Sequence, residues 1–399
     1  MTRSAKGIAL LALLAALISF AKFQPCRASG WVAPDVYIKM CYSDLSALYG
    51  AREINVDKWP YSSPDNSVEY PVITGLVMWA TGLLISDPNG YRGYFDINAF
   101  LLALLFIASA LALWRIRPEF AYLLPAAPAV VASLYINWDL WAIAGALAAI
   151  YFFQRERYSL SALALGVAIA TKFFPIVLLL GVLLHFLHRR DLRALINYFA
   201  ITGGSWLAIN LPFALTNFAG WFRFYKLNLE RGPDLGSLWY GIELLGRSSA
   251  NANFATIILL ALGILGIVYT FNRSDGRLSE FDNFALSAFL AVALFVTVSK
   301  VYSPQYIIWL TPLALIALHD RTQRSAFWIW QGGEAIYQIA IWQYLASYTG
   351  AKFGLPQDFY AISIFLRVAT LAWFVATLVK GALPEAKPNP QPDPALISR

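Results

Sequence analysis

The segment MCYSDLSALYG, Met40 to Gly50, sets an aspartate among tyrosines and a cysteine in a chain that otherwise avoids charge. A carboxylate just past a first apolar run could act as a general base, taking a proton from a hydroxyl. Asp44 ahead of LSALYGA could equally be the N-cap of a short helix. Five cations, Lys172, Arg223, Lys226, Arg231 and Lys300, stand in polar breaks between apolar runs. Each could neutralise an anionic leaving group, or simply extend its charged end to lipid headgroups. Lys172, in TKFFP, lies between two apolar half-helices, where a charge is costly to place.

The rest of the inventory narrows the chemistry. His185, His188 and His319 sit beside basic residues at the ends of apolar runs, away from Asp44. HExxH, CxxC, a Walker-type glycine loop and a dinucleotide fingerprint are all missing from the sequence, which argues against metalloprotease, ATP-driven and nucleotide-sugar chemistry. Asp44 with Asp35 or Glu69 is a thin set for a cation, so neither a metal nor a cofactor is expected.

These residues must be held by membrane helices. Of 399 residues 59% are apolar and 13% charged, whereas soluble proteins average about one quarter charged. Apolar runs near bilayer length recur along the chain, which predicts an all-α polytopic membrane protein, one domain over 1–378 with a proline-rich disordered cytoplasmic tail at 379–399. The net charge of +7 sits in short clusters beside apolar segments, so it reads as a topology signal and not as nucleic-acid binding.

Lys and Arg concentrate in cytoplasmic loops. Arg3 and Lys6 therefore start the chain inside, and the run Gly7 to Phe23 is expected to stay as a first helix, since no clean signal-peptidase site follows it. WRIRPEF, QRERY, HRRDLR, FNRSDGR, HDRTQR and the segment after Lys380 are the other inner breaks. INWD at Asp139, TKFFP at Lys172, SKVYSPQY at Lys300, the stretch near Lys352 and two large loops, 24–69 and 212–253, face outward. This gives about 12 crossings with both termini inside. The run 70–86 is read as re-entrant or lying along the outer surface, because one more crossing would invert every later loop.

Glu334 and Arg367 fall at similar depth within their apolar segments and could pair; such a pair would also suit a transporter path. Cys26 and Cys41, the only cysteines, share the first outer loop and are expected to form a disulfide.

The arrangement of a first helix, an outer loop with an early aspartate and Glu69-Tyr70-Pro71 at a re-entering apolar run resembles the integral-membrane glycosyltransferases of the GT-C class. More narrowly it resembles family 87, the polyprenol-phosphate-mannose-dependent mannosyltransferases of actinobacteria. NWD (137–139), K-x-x-P (172–175), RG-x-x-x-x-S (231–237) and SPQY (303–306) follow in the expected order. Ser43 and Val72 replace the glycine and second proline usual in the family. The resemblance implies a GT-C fold whose active site faces the extracytoplasmic side of the plasma membrane. It implies inverting transfer of a sugar, mannose or alternatively arabinose, from a polyprenyl-phosphate donor to an envelope glycolipid or polysaccharide. Asp44 would be the catalytic base, and Lys172, Arg231, Lys300 and Arg223 would hold the donor phosphate. Tyr70, Asp139, Trp239, Tyr302 and Gln305 would surround the substrates, with Tyr240 a further contact. Most of the other tyrosines and tryptophans in a 16% aromatic chain read as interfacial belt. A membrane transporter or lipid-linked sugar flippase is the rival reading.

Overall fold

The computed structural model describes residues 4–384 except 64 and 66, and these residues form helices and no strand. The chain begins with α1 (Ala5–Ser29), capped by Ser4, whose Oγ accepts from Gly7 N at 3.2 Å, and ended by Gly30 at φ 82°. The first long loop holds α2 (Asp35–Ile38) and α3 (Asp44–Ala51), followed by α4 (Val72–Gly82). Then come α5 (Tyr91–Ile116), α6 (Leu123–Ala126), α7 (Pro128–Ser133), α8 (Asp139–Gln154), α9 (Tyr158–Thr171), α10 (Leu179–His188) and α11 (Leu192–Thr216). The second long loop carries α12 (Phe218–Glu230) and α13 (Leu238–Leu244). The remainder is α14 (Ala252–Arg273), α15 (Glu280–Val298), α16 (Ile307–Ala317), α17 (Arg324–Tyr348) and α18 (Gln357–Ala382).

Six of these, α1, α5, α11, α14, α15 and α18, are long and apolar enough to cross a membrane. The expected twelve is reached only by adding α17, which is as long but richer in Gln, the α6–α7 pair, and the shorter α8, α9, α10 and α16. The run 70–86 forms only the 11-residue α4, about 16 Å at 1.5 Å per residue and half the thickness of a bilayer core. One face of α4 is buried, with Val72, Thr74, Gly75 and Met78 turned into the protein.

Three boundaries differ from the sequence reading. α1 runs through Pro25 to Ser29, past the expected loop start at 24, because its last turns are anchored: Arg27 Nε bonds Asp96 Oδ1 on α5 at 2.6 Å, and Cys26 is fully buried. α11 passes Pro212 and ends at Thr216, where Asn210 accepts from Trp221 Nε1 of α12 at 3.0 Å. α18 continues past 379 to Ala382, since Leu378 and Ala382 are fully buried. Residues 385–399 of the expected tail lie outside the described residues.

Small residues let the helices approach. A Cβ on Gly166 of α9 would sit 2.5 Å from the Thr202 carbonyl oxygen of α11, so that crossing admits no side chain there. The same density surrounds Glu334 and Arg367, both fully buried. Arg367 Nε bonds Glu334 Oε2 at 2.8 Å, and its other nitrogens donate to the carbonyls of Tyr302 (2.6 Å) and Ser303 (3.1 Å). Glu334 Oε1 accepts from Tyr302 OH at 2.8 Å. The pair expected between two distant segments is thus formed, and it clamps the turn that begins SPQY. A disulfide joins Cys26, in α1, to Cys41, just before α3, with Cα atoms 5.9 Å apart.

Candidate active site

A cavity of about 660 Å³ opens where the first long loop, the NWD turn before α8, the break between α9 and α10, the end of α12 and the SPQY turn converge. Asp44 lies on its wall. Ser43, not Asp44, caps α3: its Oγ accepts from Leu45 N at 3.2 Å and donates to the Tyr135 carbonyl at 2.6 Å. Asp44 N donates to Ile136 O at 2.7 Å. The backbone of the two segments is stitched together, and the Asp44 carboxylate is relieved of capping.

That carboxylate is half-buried. Its Oδ1 accepts from Tyr42 OH at 2.9 Å and its Oδ2 from Asn137 Nδ2 at 2.6 Å. Asn137 Nδ2 also donates to Tyr70 OH at 2.7 Å, so one amide orients two groups of the wall. Burial pushes the Asp44 carboxyl up to about 6, against the pull of the Asn137 and Tyr42 hydrogen bonds and of the Lys172 charge. Asp44 is therefore ionised at neutral pH yet more basic than an ordinary aspartate, as a general base needs to be.

Lys172 lines the same cavity, released from α9 in extended conformation (φ −142°, ψ 145°). Its Nζ lies 2.8 Å from Asp139 Oδ1 and 4.6 Å from the centre of the Tyr70 ring. Asp139 is fully buried and neither of its oxygens has hydrogen-bond geometry with a protein donor, so the pair is held by charge rather than by a directed bond. Asp139 does not line the cavity; it reaches it through Lys172. Arg231, which ends α12, lines the cavity and is paired with Asp234, while Asp234 N is tied to the Lys300 carbonyl at 2.8 Å. The remaining wall is aromatic and apolar: Tyr306 stacks on Trp309 at 3.6 Å, Trp309 on Phe174 at 4.1 Å, and Phe224 and Leu227 come from α12.

Of the residues singled out in the sequence, the cavity gathers Asp44, Tyr70, Lys172, Arg231 and Gln305, with Asp139 behind Lys172. Others lie outside its lining. Lys300 contributes its backbone carbonyl to Asp234, and Arg223 sits elsewhere on α12. Trp239 is buried and donates to Val298 O at 2.8 Å. Tyr302 is buried with Glu334 and with Arg367, whose guanidinium is 3.3 Å from its ring centre. Tyr240 OH meets Tyr344 OH at 3.1 Å, also away from the cavity lining. Glu69 lines the cavity with both oxygens engaged by Arg52, one at 3.0 Å, and Asp35 pairs with Lys39 at 2.7 Å. Among the described residues, no histidine lines the cavity. Sequence reasoning missed Asp234 and Trp342 as lining residues, and Asn137 as the group that orients Asp44. Asn137 and Asp234 stood inside noted motifs, but nothing near Trp342 marks it.

Among solved structures the chain is similar to ArnT from Cupriavidus metallidurans, crystallised bound to undecaprenyl phosphate: TM-score 0.50 and 15% identity over 95% of this chain and 78% of that one. That likeness speaks for a shared GT-C fold. No curated protein matches the chain. The family model described as glycosyltransferase family 87 matches residues 69–299. This segment is more than half of the chain and holds Tyr70, Asn137, Asp139, Lys172 and Arg231 of the site, and the chain belongs to glycosyltransferase family 87.

Proposed function

We propose that the protein transfers a sugar from a polyprenyl-phosphate donor to a hydroxyl of an envelope glycolipid or polysaccharide on the extracytoplasmic side of the plasma membrane, with inversion. The observation that carries this reading is one cavity lined both by a reachable, raised-pKa carboxylate, Asp44, and by the cations Lys172 and Arg231. An apolar and aromatic wall beside those cations suits a lipid chain. The undecaprenyl phosphate in the ArnT structure is the same class of ligand.

In this mechanism the acceptor oxygen forms a bond to the anomeric carbon while the bond from that carbon to the phosphate oxygen breaks. The acceptor proton passes to Asp44, and the electron pair of the broken bond leaves on the lipid phosphate. Lys172 stabilises that developing charge, and Arg231 supports it from the rim. Asn137 and Tyr42 fix the carboxylate's orientation. Mannose is the sugar implied by the resemblance to family 87, with arabinose the alternative. The transporter reading loses its main support, because Glu334 and Arg367 are fully buried and bonded to each other instead of lining a path.

The test is purified protein in liposomes with radiolabelled polyprenyl-phosphoryl mannose or arabinose and an envelope glycolipid extract, read by mass spectrometry. A glycolipid one sugar heavier, with free polyprenyl phosphate released in equal amount, is the expected result. Donor moved across the bilayer intact, with no transfer, would make it a flippase.

A further inference from the structure

A second concavity shares no lining residue with the cavity of Asp44: a groove of about 460 Å³ between α1 and the α6–α7 pair. One stripe of α1, with Leu11, Leu14, Ile18, Ser19 and Lys22, forms its floor, and Ala126 and Val131 stand on the other side. From Leu11 to Lys22 it runs about 16 Å at 1.5 Å per residue, close to one leaflet of a bilayer core about 30 Å thick. The lining is almost wholly apolar. The Tyr122 hydroxyl is engaged by Arg324 at 3.2 Å, which leaves Ser19 and Lys22 as the polar side chains that face the groove. Lys22 Nζ donates to the Ala132 carbonyl at 2.7 Å and lies 4.6 Å from the centre of the Phe23 ring.

Both groups have bonding capacity left over. Lys22 has no carboxylate partner among the described residues, and of the three N–H donors of an ammonium the Ala132 carbonyl takes one. Ser19 is 1% exposed, and its Oγ has no hydrogen-bond partner. Extension toward water does not account for Lys22, because a snorkelling side chain keeps its charged end solvated, whereas this one is turned onto a carbonyl of α7 beside an aromatic ring. A lone charge in an apolar groove is costly, and an anion relieves the cost. The geometry points to an anionic phospholipid seated here, with its phosphate on the Lys22 ammonium, an ester carbonyl on the Ser19 hydroxyl and an acyl chain along Ile18, Leu14 and Leu11. Along α1 the ammonium, the hydroxyl and the apolar stripe follow in the order in which a phospholipid presents phosphate, ester and chain. A second copy packed on the same groove by two-fold symmetry would bring another Lys22 and no counter-charge. The assignment needs only a membrane-spanning chain and does not rest on the transferase reading.

Native mass spectrometry of the whole protein released from detergent micelles tests it, with dioleoyl phosphatidylglycerol, dioleoyl phosphatidylcholine and inorganic phosphate as probes. Wild type should retain one phosphatidylglycerol about fivefold more tightly than phosphatidylcholine, the preference that one lysine at an anionic headgroup supplies. Lys22→Leu should abolish that preference and Lys22→Arg should keep it. Ala126→Trp, which fills the groove from an exposed position, should displace the retained lipid. Thermal unfolding separates a lipid anchor from a merely structural lysine. Phosphatidylglycerol should raise the wild-type midpoint more than phosphatidylcholine does, and the difference should vanish in Lys22→Leu, or in Lys22→Gln if the leucine variant does not fold. Equal retention of the two lipids by wild type, an unchanged preference in the Lys22→Leu or Lys22→Gln variant, or displacement of the lipid by inorganic phosphate alone overturns the inference. So does a dimer that retains no lipid and that Ala126→Trp dissolves, which would give the groove to a second copy.

Discussion

Two clusters in this molecule are made of the same parts, a carboxylate, a cation and tyrosines, and they differ in how completely they are satisfied. At the buried node, Glu334 and Arg367 are fully enclosed, and the guanidinium's nitrogens are shared among a carboxylate and two carbonyls. At the cavity, Asp44 accepts one hydrogen bond on each oxygen and still faces open space, and Lys172 is balanced by Asp139 without a directed bond. A fully paired charge in a low-dielectric setting fixes geometry; a partly paired, reachable one remains available to react. The two are linked, since Arg367 holds the carbonyls of Tyr302 and Ser303 and the next residues of that turn, Pro304 to Tyr306, line the cavity.

The contrast is tested most sharply at Asp44. Asp44→Asn keeps size and leaves the Ser43 cap in place, so the variant should fold as wild type and lose a factor of about 10² to 10⁴ in transfer rate. A folded Asn variant with near wild-type turnover would remove Asp44 from the role of base. The buried node should respond in the opposite way. Glu334→Leu leaves the Arg367 charge unpaired and should destabilise by about 3–5 kcal/mol, read by thermal unfolding in detergent, with the charge-swapped double variant recovering part of the loss. If Glu334→Gln leaves stability unchanged but abolishes transfer, the node is not structural and the comparison fails.

The disulfide is the next largest effect. Replacing Cys26 and Cys41 by serine opens a loop with a sequence separation of 15, which the chain-entropy relation values at about 3 kcal/mol. A lower melting temperature that matches wild type under reductant is the expected outcome, with non-reducing mass-shift labelling finding no reactive thiol in wild type.

Acid should separate activity from stability. Asp44 must be ionised to act, and its carboxyl is pushed up to about 6, so kcat/KM should fall by about tenfold per pH unit below 6. Because Asp44 binds its proton more tightly folded than in the unfolded chain, where the value is about 3.9, its contribution to stability is fully present below the unfolded value. That contribution is lost as pH rises through about 6. Acid inactivation through Asp44 should thus come without unfolding, which circular dichroism at pH 5 checks. A profile unchanged in Asp44→Glu and flat down to pH 4 would assign the base elsewhere. The smallest effect is expected at Ser43: loss of the cap in Ser43→Ala should cost about 1 kcal/mol of stability and far less turnover than Asp44→Asn.

The sequence by itself determined what is one-dimensional. Apolar run length and clustered Arg and Lys gave an all-helical membrane chain, and the order of short polar breaks marked the turns that build the cavity. Depth along a helix was legible in the same way, and it placed Glu334 opposite Arg367 before any contact was known. Azimuth was not legible. Lys172 and Arg231 reach the cavity while Arg223 and Lys300 do not, although all four sit in breaks expected to face outward. Trp239 and Tyr302, read as sugar contacts, are committed to Val298 and Glu334. Whether Ser43 or Asp44 caps α3 turned on hydrogen bonds from the Ser43 hydroxyl and the Asp44 N–H to the carbonyls of Tyr135 and Ile136, nearly a hundred residues away in sequence. Trp342 joins Tyr37 and Tyr42 only because α2 packs on α17. Side-chain direction depends on where each helix ends and on which neighbour it rolls against, and those are properties of the packed bundle that no local stretch of sequence contains.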